Sequence, residues 1–398
     1  MSQWKKVKLG ELYEVHNGLS KGRKFFGKGF PFLSFTTVFN NFFLPDKLDS
    51  LVLSTEKERE ACSIRRGDVF ITRTSETMDE LGMSCVALKD YPNATYNGFT
   101  KRLRPLNEKV VPEFIGYFLR SPQFRGKFMA FSTMTTRASL ANDQLLSMEI
   151  ELPDNATQSK IANILSKYDS LIENYQQQIK LLEEAAQRLY KEWFVDLHFP
   201  GYENTKIVDG VPEGWRKEGI GELGEYLNGF AFKPSDWQTK GLPIIKIKEL
   251  QNGVTKETPC NNGERVPKKY KIKAGDLIFS WSATLKVVIW SGEDGWLNQH
   301  LFKVTPKTDI PREFLLQSIA SSLSKFQNLT TGSTMKHIQR NKLDQVFVVV
   351  PTKDILRKYM GVAETIRSRI LDLSTQLRLL TEARDRLLPK LMSGEIEV

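Results

Sequence analysis

Two stretches of the chain carry apolar residues at alternating spacings of four and three. The first runs through Ile161, Leu165, Tyr168, Ile172, Tyr175, Ile179, Leu182, Ala186, Leu189 and Trp193. The second runs through Tyr359, Ala363, Ile366, Ile370, Leu373, Leu377, Leu380, Arg384, Leu387 and Leu391 in the same register. A 3.5-residue period gives a narrow seam that a partner helix must cover. The spacing predicts two helices of about 35 residues, each roughly 50 Å long at 1.5 Å per residue. That is more than one small domain can bury, so the two helices are expected to pair with each other. Pro153 and Pro351 stand just before them. Pro389 is expected to end or kink the second helix near Leu388, leaving Leu391 beyond it.

The segments before each helix alternate short β-rich runs with turn signals. Val69-Phe70-Ile71-Thr72 and Leu277-Ile278-Phe279-Ser280 are each entered through Gly-Asp, and Val346 to Val350 is another apolar run. Phe114 to Leu119 and Phe314 to Ile319 read as short helices. The expected fold class is α+β: two tandem mixed domains with sheet dominant, each followed by a long helix, the two helices pairing as a coiled coil. The expected segments are 1–153, 154–196, 197–350 and 351–398, alternating domain and helical region.

The duplication is visible at residue level. Trp4, Gly10, Glu11, Leu12, Glu14, Asn17 and Gly18 return as Trp215, Gly221, Glu222, Leu223, Glu225, Asn228 and Gly229, at a constant offset of 211. Gly67-Asp68 corresponds to Gly275-Asp276 and Glu113-Phe114 to Glu313-Phe314. The shrinking offset reflects loops of different length, which surfaces tolerate. In the helices Gln178, Leu181, Leu182, Glu184, Ala185, Arg188 and Leu189 match Gln376, Leu379, Leu380, Glu382, Ala383, Arg386 and Leu387.

Charge adds a partner class to this picture. The 398 residues carry a formal net charge of +10. Residues 1–150 hold 22 basic against 16 acidic side chains, 151–200 hold 5 against 8, 201–350 hold 21 against 16, and 351–398 hold 9 against 7. Two basic bodies joined by a slightly acidic segment suit a chain that meets nucleic acid at two places. No apolar run reaches the roughly 18 residues of a membrane span. Met1 leads into Trp4-Lys5-Lys6 rather than an apolar leader, so a cytoplasmic protein is expected. Cys62, Cys85 and Cys260 lack the spacing of a disulfide framework or a zinc site.

Catalytic constellations are missing from the sequence. Gly27-Lys28-Gly29 lacks the rest of a phosphate-binding loop, and there is no GxGxxG. His16, His198, His300 and His337 form no HExxH, and no Pro-Pro pair exists for the Asn/Asp-Pro-Pro-aromatic motif of an adenine methyltransferase. The expectation is a chain with neither catalytic residues nor a metal or cofactor of its own.

Polar and basic side chains in loops beside strands are what contacts to phosphates and base edges require. Lys21, Arg23, Lys24 and Lys28 lie among glycines and phenylalanines. Arg73, Thr74 and Ser75 follow the first Gly-Asp strand, and the second such strand ends in Ser280, followed by Trp281, Ser282 and Thr284. Thr135, Thr136 and Arg137 match Thr334, Lys336 and His337 ahead of the last strand and helix. Asn298, Gln299 and His300 present polar groups in a row, whereas the aligned Tyr96-Asn97-Gly98 keeps only the first amide. The copies agree in framework and differ in these loops, as two readers of different short sequences should.

Along its whole length the chain resembles specificity subunits of type I restriction-modification systems. Arg188-Leu189-Tyr190-Lys191-Glu192-Trp193-Phe194 with Asp196, and Leu387-Leu388-Pro389-Lys390-Leu391-Met392-Ser393-Gly394-Glu395, carry the likeness together with the duplicated Trp-to-Asn-Gly start. The resemblance implies two target-recognition domains, each reading half of a bipartite site in double-stranded DNA. It also implies that the helices pair as an antiparallel coiled coil, giving the two target-recognition domains pseudo-twofold symmetry, and that they dock two methyltransferase subunits, with two restriction subunits completing the endonuclease. S-adenosylmethionine, ATP and Mg are then expected on the partner subunits. A freestanding sequence-specific DNA-binding regulator without enzyme partners is the alternative.

Overall fold

The computed structural model describes residues 4–75, 81–131, 138–139, 141–328 and 340–398. It forms two compact units, one of residues 1–173 with 379–398 and the other of residues 174–378. These units are not the linear segments expected from the sequence. Each contains one domain, part of the helix that follows that domain, and part of the helix from the other copy.

In the first unit the central antiparallel sheet has the strand order Tyr13–Asn17, Thr100–Pro105, Val69–Thr72, Ser84–Val86. A smaller sheet joins Ser50–Val52, Phe26–Leu33 and Thr95–Tyr96. A separate ribbon pairs Lys5–Lys8 with Glu149–Leu152, tying the start of the domain to the strand that leads into the helix. In the second unit the equivalent sheet is ordered Gly224–Asn228, Leu301–Pro306, Leu277–Ser280, Lys286–Ile289. Its ribbon pairs Arg216–Gly219 with Phe347–Val350, and its second sheet is built from Cys260–Asn261, Leu242–Ile245, Gly295–Leu297 and Lys271–Ile272.

The repeated framework residues have local reasons. Gly67 and Gly275 enter the central strands at φ +87° and +93°, a left-handed conformation that a side chain disfavours. The aspartate after each accepts a backbone N–H three residues back, Arg65 to Asp68 at 2.7 Å and Lys273 to Asp276 at 2.9 Å. Asp68 is fully buried and is neutralised by Arg104 at 2.7 Å; Asp276 is paired with Lys303 at 2.7 Å. Gly18 and Gly229 close the Trp-to-Asn-Gly start for a different reason. A Cβ on either would lie 2.2 Å from a backbone carbonyl oxygen, of Asn97 or Asn298 respectively.

The long helices span Asn155–Phe194 and Lys353–Met392, 40 residues each. Asp154 caps the first by accepting the Thr157 N–H at 2.9 Å, and this bond holds its carboxyl below the usual range. Buried Gln158 then ties the helix to its domain, donating to the carbonyls of Pro153 and Lys109 and accepting from the Val111 N–H. In the first unit the beginning of the first helix meets the end of the second: Ile161, Leu165, Leu388, Leu391 and Met392 share one core with Phe114 and Phe124. In the second unit the pairing is reversed, with Tyr190 and Phe194 packed around Tyr359 and Phe314. The helices are therefore antiparallel within each unit. Every apolar stripe position named above is buried or half-buried.

Pro389 does not end the second helix. It sits inside the helix, which continues to Met392. In the last turn the proline forfeits only the bond to the Asp385 carbonyl, and burial of Leu388, Leu391 and Met392 offsets that loss. The Pro389 carbonyl is itself used, by Gln123 Nε2 at 2.7 Å and by the Ser393 N–H at 3.0 Å.

Candidate nucleic-acid interface

Two quasi-equivalent clusters stand where the central strand of each unit ends. In the first, Arg73 follows the strand Val69–Thr72, and one guanidinium nitrogen lies 3.5 Å from Asn17 Oδ1. In the second, Trp281 follows Leu277–Ser280, and its indole N–H donates to Asn228 Oδ1 at 3.2 Å. Asn17 and Asn228 are the repeated asparagines, so a constant acceptor serves a variable donor.

Strand register fixes the rest of the correspondence. Asn17 faces Lys101 as Asn228 faces Phe302. Counting back along each strand aligns Asn97 with Asn298, Gly98 with Gln299 and Phe99 with His300, one residue further along than the triplet Tyr96-Asn97-Gly98 that the sequence sets against them. Backbone bonds agree: Asn97 N–H donates to Leu33 and its carbonyl accepts from Thr100, while Asn298 N–H donates to Ile245 and its carbonyl accepts from Leu301. Lys101 is buried and bonded to Asn142. Burial, and then the charge of Arg73, lowers its pKa from the ordinary lysine value. The Nε of Arg73 is buried without a hydrogen-bond partner among the described residues.

In the second unit the Trp281 ring centre lies 5.9 Å from that of His300 and 5.6 Å from that of Phe302. His300 Nε2 is 3.4 Å from Gln299 Nε2, and its Nδ1 is buried with no hydrogen-bond partner among the described residues. Thr284 is exposed, and its carbonyl accepts from Ser280 Oγ at 2.7 Å. Ser280, Ser282 and Asn298 are buried.

Other candidate residues are dispersed. Lys21 is bound to Glu58 at 2.7 Å and to the Leu53 carbonyl at 2.7 Å, so its charge is spent within the domain. Lys24 lies over the Phe25 ring, and Arg23, Lys24 and Lys28 are exposed. Thr74 and Ser75 form a two-residue strand paired with Ala138–Ser139. Thr135, Thr136, Arg137, Thr334, Lys336 and His337 lie outside the described residues. Five participants escaped sequence reasoning, among them Lys101 and Phe302, which lie on the strands facing the two asparagines. Asn17 and Asn228 were legible only as framework, and Phe99, 61% exposed, gave no signal because exposure of one aromatic is not periodic.

No helix among the described residues is long and apolar enough to cross a membrane. The family model described as type I restriction modification DNA specificity domain matches residues 1–184 and 212–372. The MjaIX type I restriction enzyme specificity subunit of Methanocaldococcus jannaschii is 25% identical, with 99% of this chain and 94% of that protein covered. The HindI specificity subunit of Haemophilus influenzae is also 25% identical, with both chains covered in full. In three dimensions the chain is similar to the S subunit of a type I restriction-modification system from M. genitalium, with a TM-score of 0.56, 14% identity, and 98% of this chain and 96% of that chain covered. Two sheet-and-helix units with one repeated framework, matched by this family over most of their length, belong to the type I restriction-modification specificity subunits, the non-catalytic DNA-recognition component of those systems.

Proposed function

We propose that the chain reads a bipartite site in double-stranded DNA, one half-site per unit. The observation that carries this reading is the pair of clusters built on one framework with different contents: Asn17 with Arg73, Phe99 and Lys101 in one, Asn228 with Trp281, His300 and Phe302 in the other. A constant scaffold with exchanged side chains is what distinguishes two readers of unlike sequences. The basic excess of residues 1–150 and 201–350 supplies phosphate attraction.

The helices dock the catalytic partners in this reading. Leu181 and Leu379 occupy equivalent positions and are 53% and 52% exposed. Ala185 and Arg188, like Ala383 and Arg386, continue the same exposed face in each copy, with Glu184–Arg188 and Glu382–Arg386 pairs beside them. Identity between copies is not needed for packing at exposed positions. A repeated patch suits two copies of one partner, the methyltransferase subunit, with two restriction subunits completing the endonuclease.

The test is to exchange residues 1–150 for those of another family member and map methylation in the host. One half of the methylated site changes and the other is retained. A change in both halves, or in neither, overturns the assignment of one half-site per unit.

A further inference from the structure

Phe99 is the most exposed of the large apolar side chains identified as solvent-accessible in the described residues, yet its backbone is firmly held. Its N–H donates to Asn97 Oδ1 at 2.6 Å, and its carbonyl accepts the Arg73 N–H at 3.0 Å. On one side Gly98 N–H is bonded to the Leu19 carbonyl at 2.9 Å; on the other, Thr100 N–H and Oγ1 both donate to the Asn97 carbonyl at 3.1 and 2.8 Å. Both sheets of the unit converge on this turn, through Leu33 to Asn97 and through the strand beginning at Thr100. The ring is thus presented at a set height, on a turn hydrogen-bonded to Arg73.

A phenylalanine left in water on a hydrogen-bonded turn beside Arg73 gains free energy when an apolar surface arrives. In double-stranded DNA the apolar group on a base edge is the thymine 5-methyl in the major groove. The other option, insertion between base pairs, costs a few kcal/mol of unstacking per step, which contact with a base edge avoids. The second copy sharpens the comparison: the structurally equivalent residue is His300, a polar ring whose buried Nδ1 has no hydrogen-bond partner among the described residues. One framework position is apolar in the first unit and polar in the second.

We propose that Phe99 is a specificity-determining residue of the first half-site and recognises the 5-methyl group of a thymine. The proposal rests on the reading of this unit as a half-site reader. It is tested on the complete methyltransferase complex, using the site defined by methylation mapping. Each thymine of the first half-site is replaced in turn by uracil, which removes the methyl alone. At one position the replacement weakens binding by the parent complex about four-fold, the value of one buried methyl group. The same replacement leaves the affinity of a Phe99→Ala complex unchanged, and Phe99→Leu retains part of the discrimination. Replacements in the second half-site affect parent and variants alike. The proposal is overturned if no position shows this coupling, or if the first half-site contains no thymine. Selective binding of the bipartite site in either case would leave the proposed function standing, whereas loss of half-site modularity in the domain exchange would remove it independently.

Discussion

Asp169 of the first long helix and Arg384 of the second are joined by a 2.8 Å ion pair, and the same aspartate accepts the Tyr117 hydroxyl at 2.6 Å. The position equivalent to Asp169 in the second copy is Arg367, which donates to Glu313 at 2.9 Å. Each unit thus has a polar lock between helix and domain, with the sign of the helix charge reversed.

The first lock predicts a coupling. Asp169 and Arg384 are about a fifth exposed, so solvent screens part of their attraction. A double-mutant cycle of Asp169→Ala and Arg384→Ala, read by urea denaturation, should give a coupling of about 1 kcal/mol. Asp169→Ala alone should cost about 1–3 kcal/mol, because the Tyr117 hydroxyl also loses its acceptor. A cycle that closes with zero coupling removes this ion pair as a fastening.

The second lock is more deeply buried, and its behaviour differs. Glu313 and Arg367 expose 5% and 10% of their side chains, and burial raises the carboxyl pKa against the lowering effect of Arg367. Arg367→Ala leaves the buried carboxylate with only Arg312, at 3.9 Å, as a cationic neighbour and should cost about 3 kcal/mol. The double change Glu313→Leu with Arg367→Met should recover most of that loss. A double variant as unstable as the single one contradicts the account.

Glycines divide by surroundings. Gly18→Ala and Gly229→Ala each drive a Cβ to 2.2 Å from a backbone carbonyl oxygen and should destabilise by about 3 kcal/mol. Gly126 and Gly361 lie in helices with open space around the missing Cβ. Alanine at either should stabilise by about 0.5–1 kcal/mol. Melting temperatures of the four variants should fall into two opposite groups.

Alkaline pH should loosen the second unit through Tyr190. Burial pushes this phenol from 10.0 to about 12, with its hydroxyl bonded to Ser318 Oγ at 3.0 Å. The folded phenol ionises later than the unfolded one, so its contribution is whole below pH 10 and is lost as pH rises through about 12. Stability measured against pH should decline from pH 10 upward, and Tyr190→Phe should make the decline shallower. An equal slope in parent and variant rejects the role of this residue.

Much of the architecture was legible because packing leaves a periodic trace. The stripe from Ile161 to Trp193 and its repeat from Tyr359 to Leu391 mark residues that meet a partner on one side only. Gly18 and Gly67 recur as Gly229 and Gly275 because a close approach and a positive φ admit nothing else. Pro389 was misleading, since its intrinsic cost is small in a last turn whose neighbours are buried. The site was harder to read. Lys21 resembles a phosphate ligand until Glu58, 37 residues away in sequence, is found beside it. Phe99 and His300 become equivalent only through strand register, because the loops before them differ in length.

The mixed parentage of the first unit has a consequence for how the chain is made. Residues 174–378 are contiguous, so everything the second unit needs has left the ribosome once Arg378 has emerged. The first unit must wait for residues 379–398, which bring Leu388, Leu391 and Met392 into its core. The half translated first is therefore completed last, holding an open seam along Ile161 and Leu165 throughout synthesis. A nonsense codon near residue 380 would spare every residue of the second unit while leaving the amino-terminal one without its final wall.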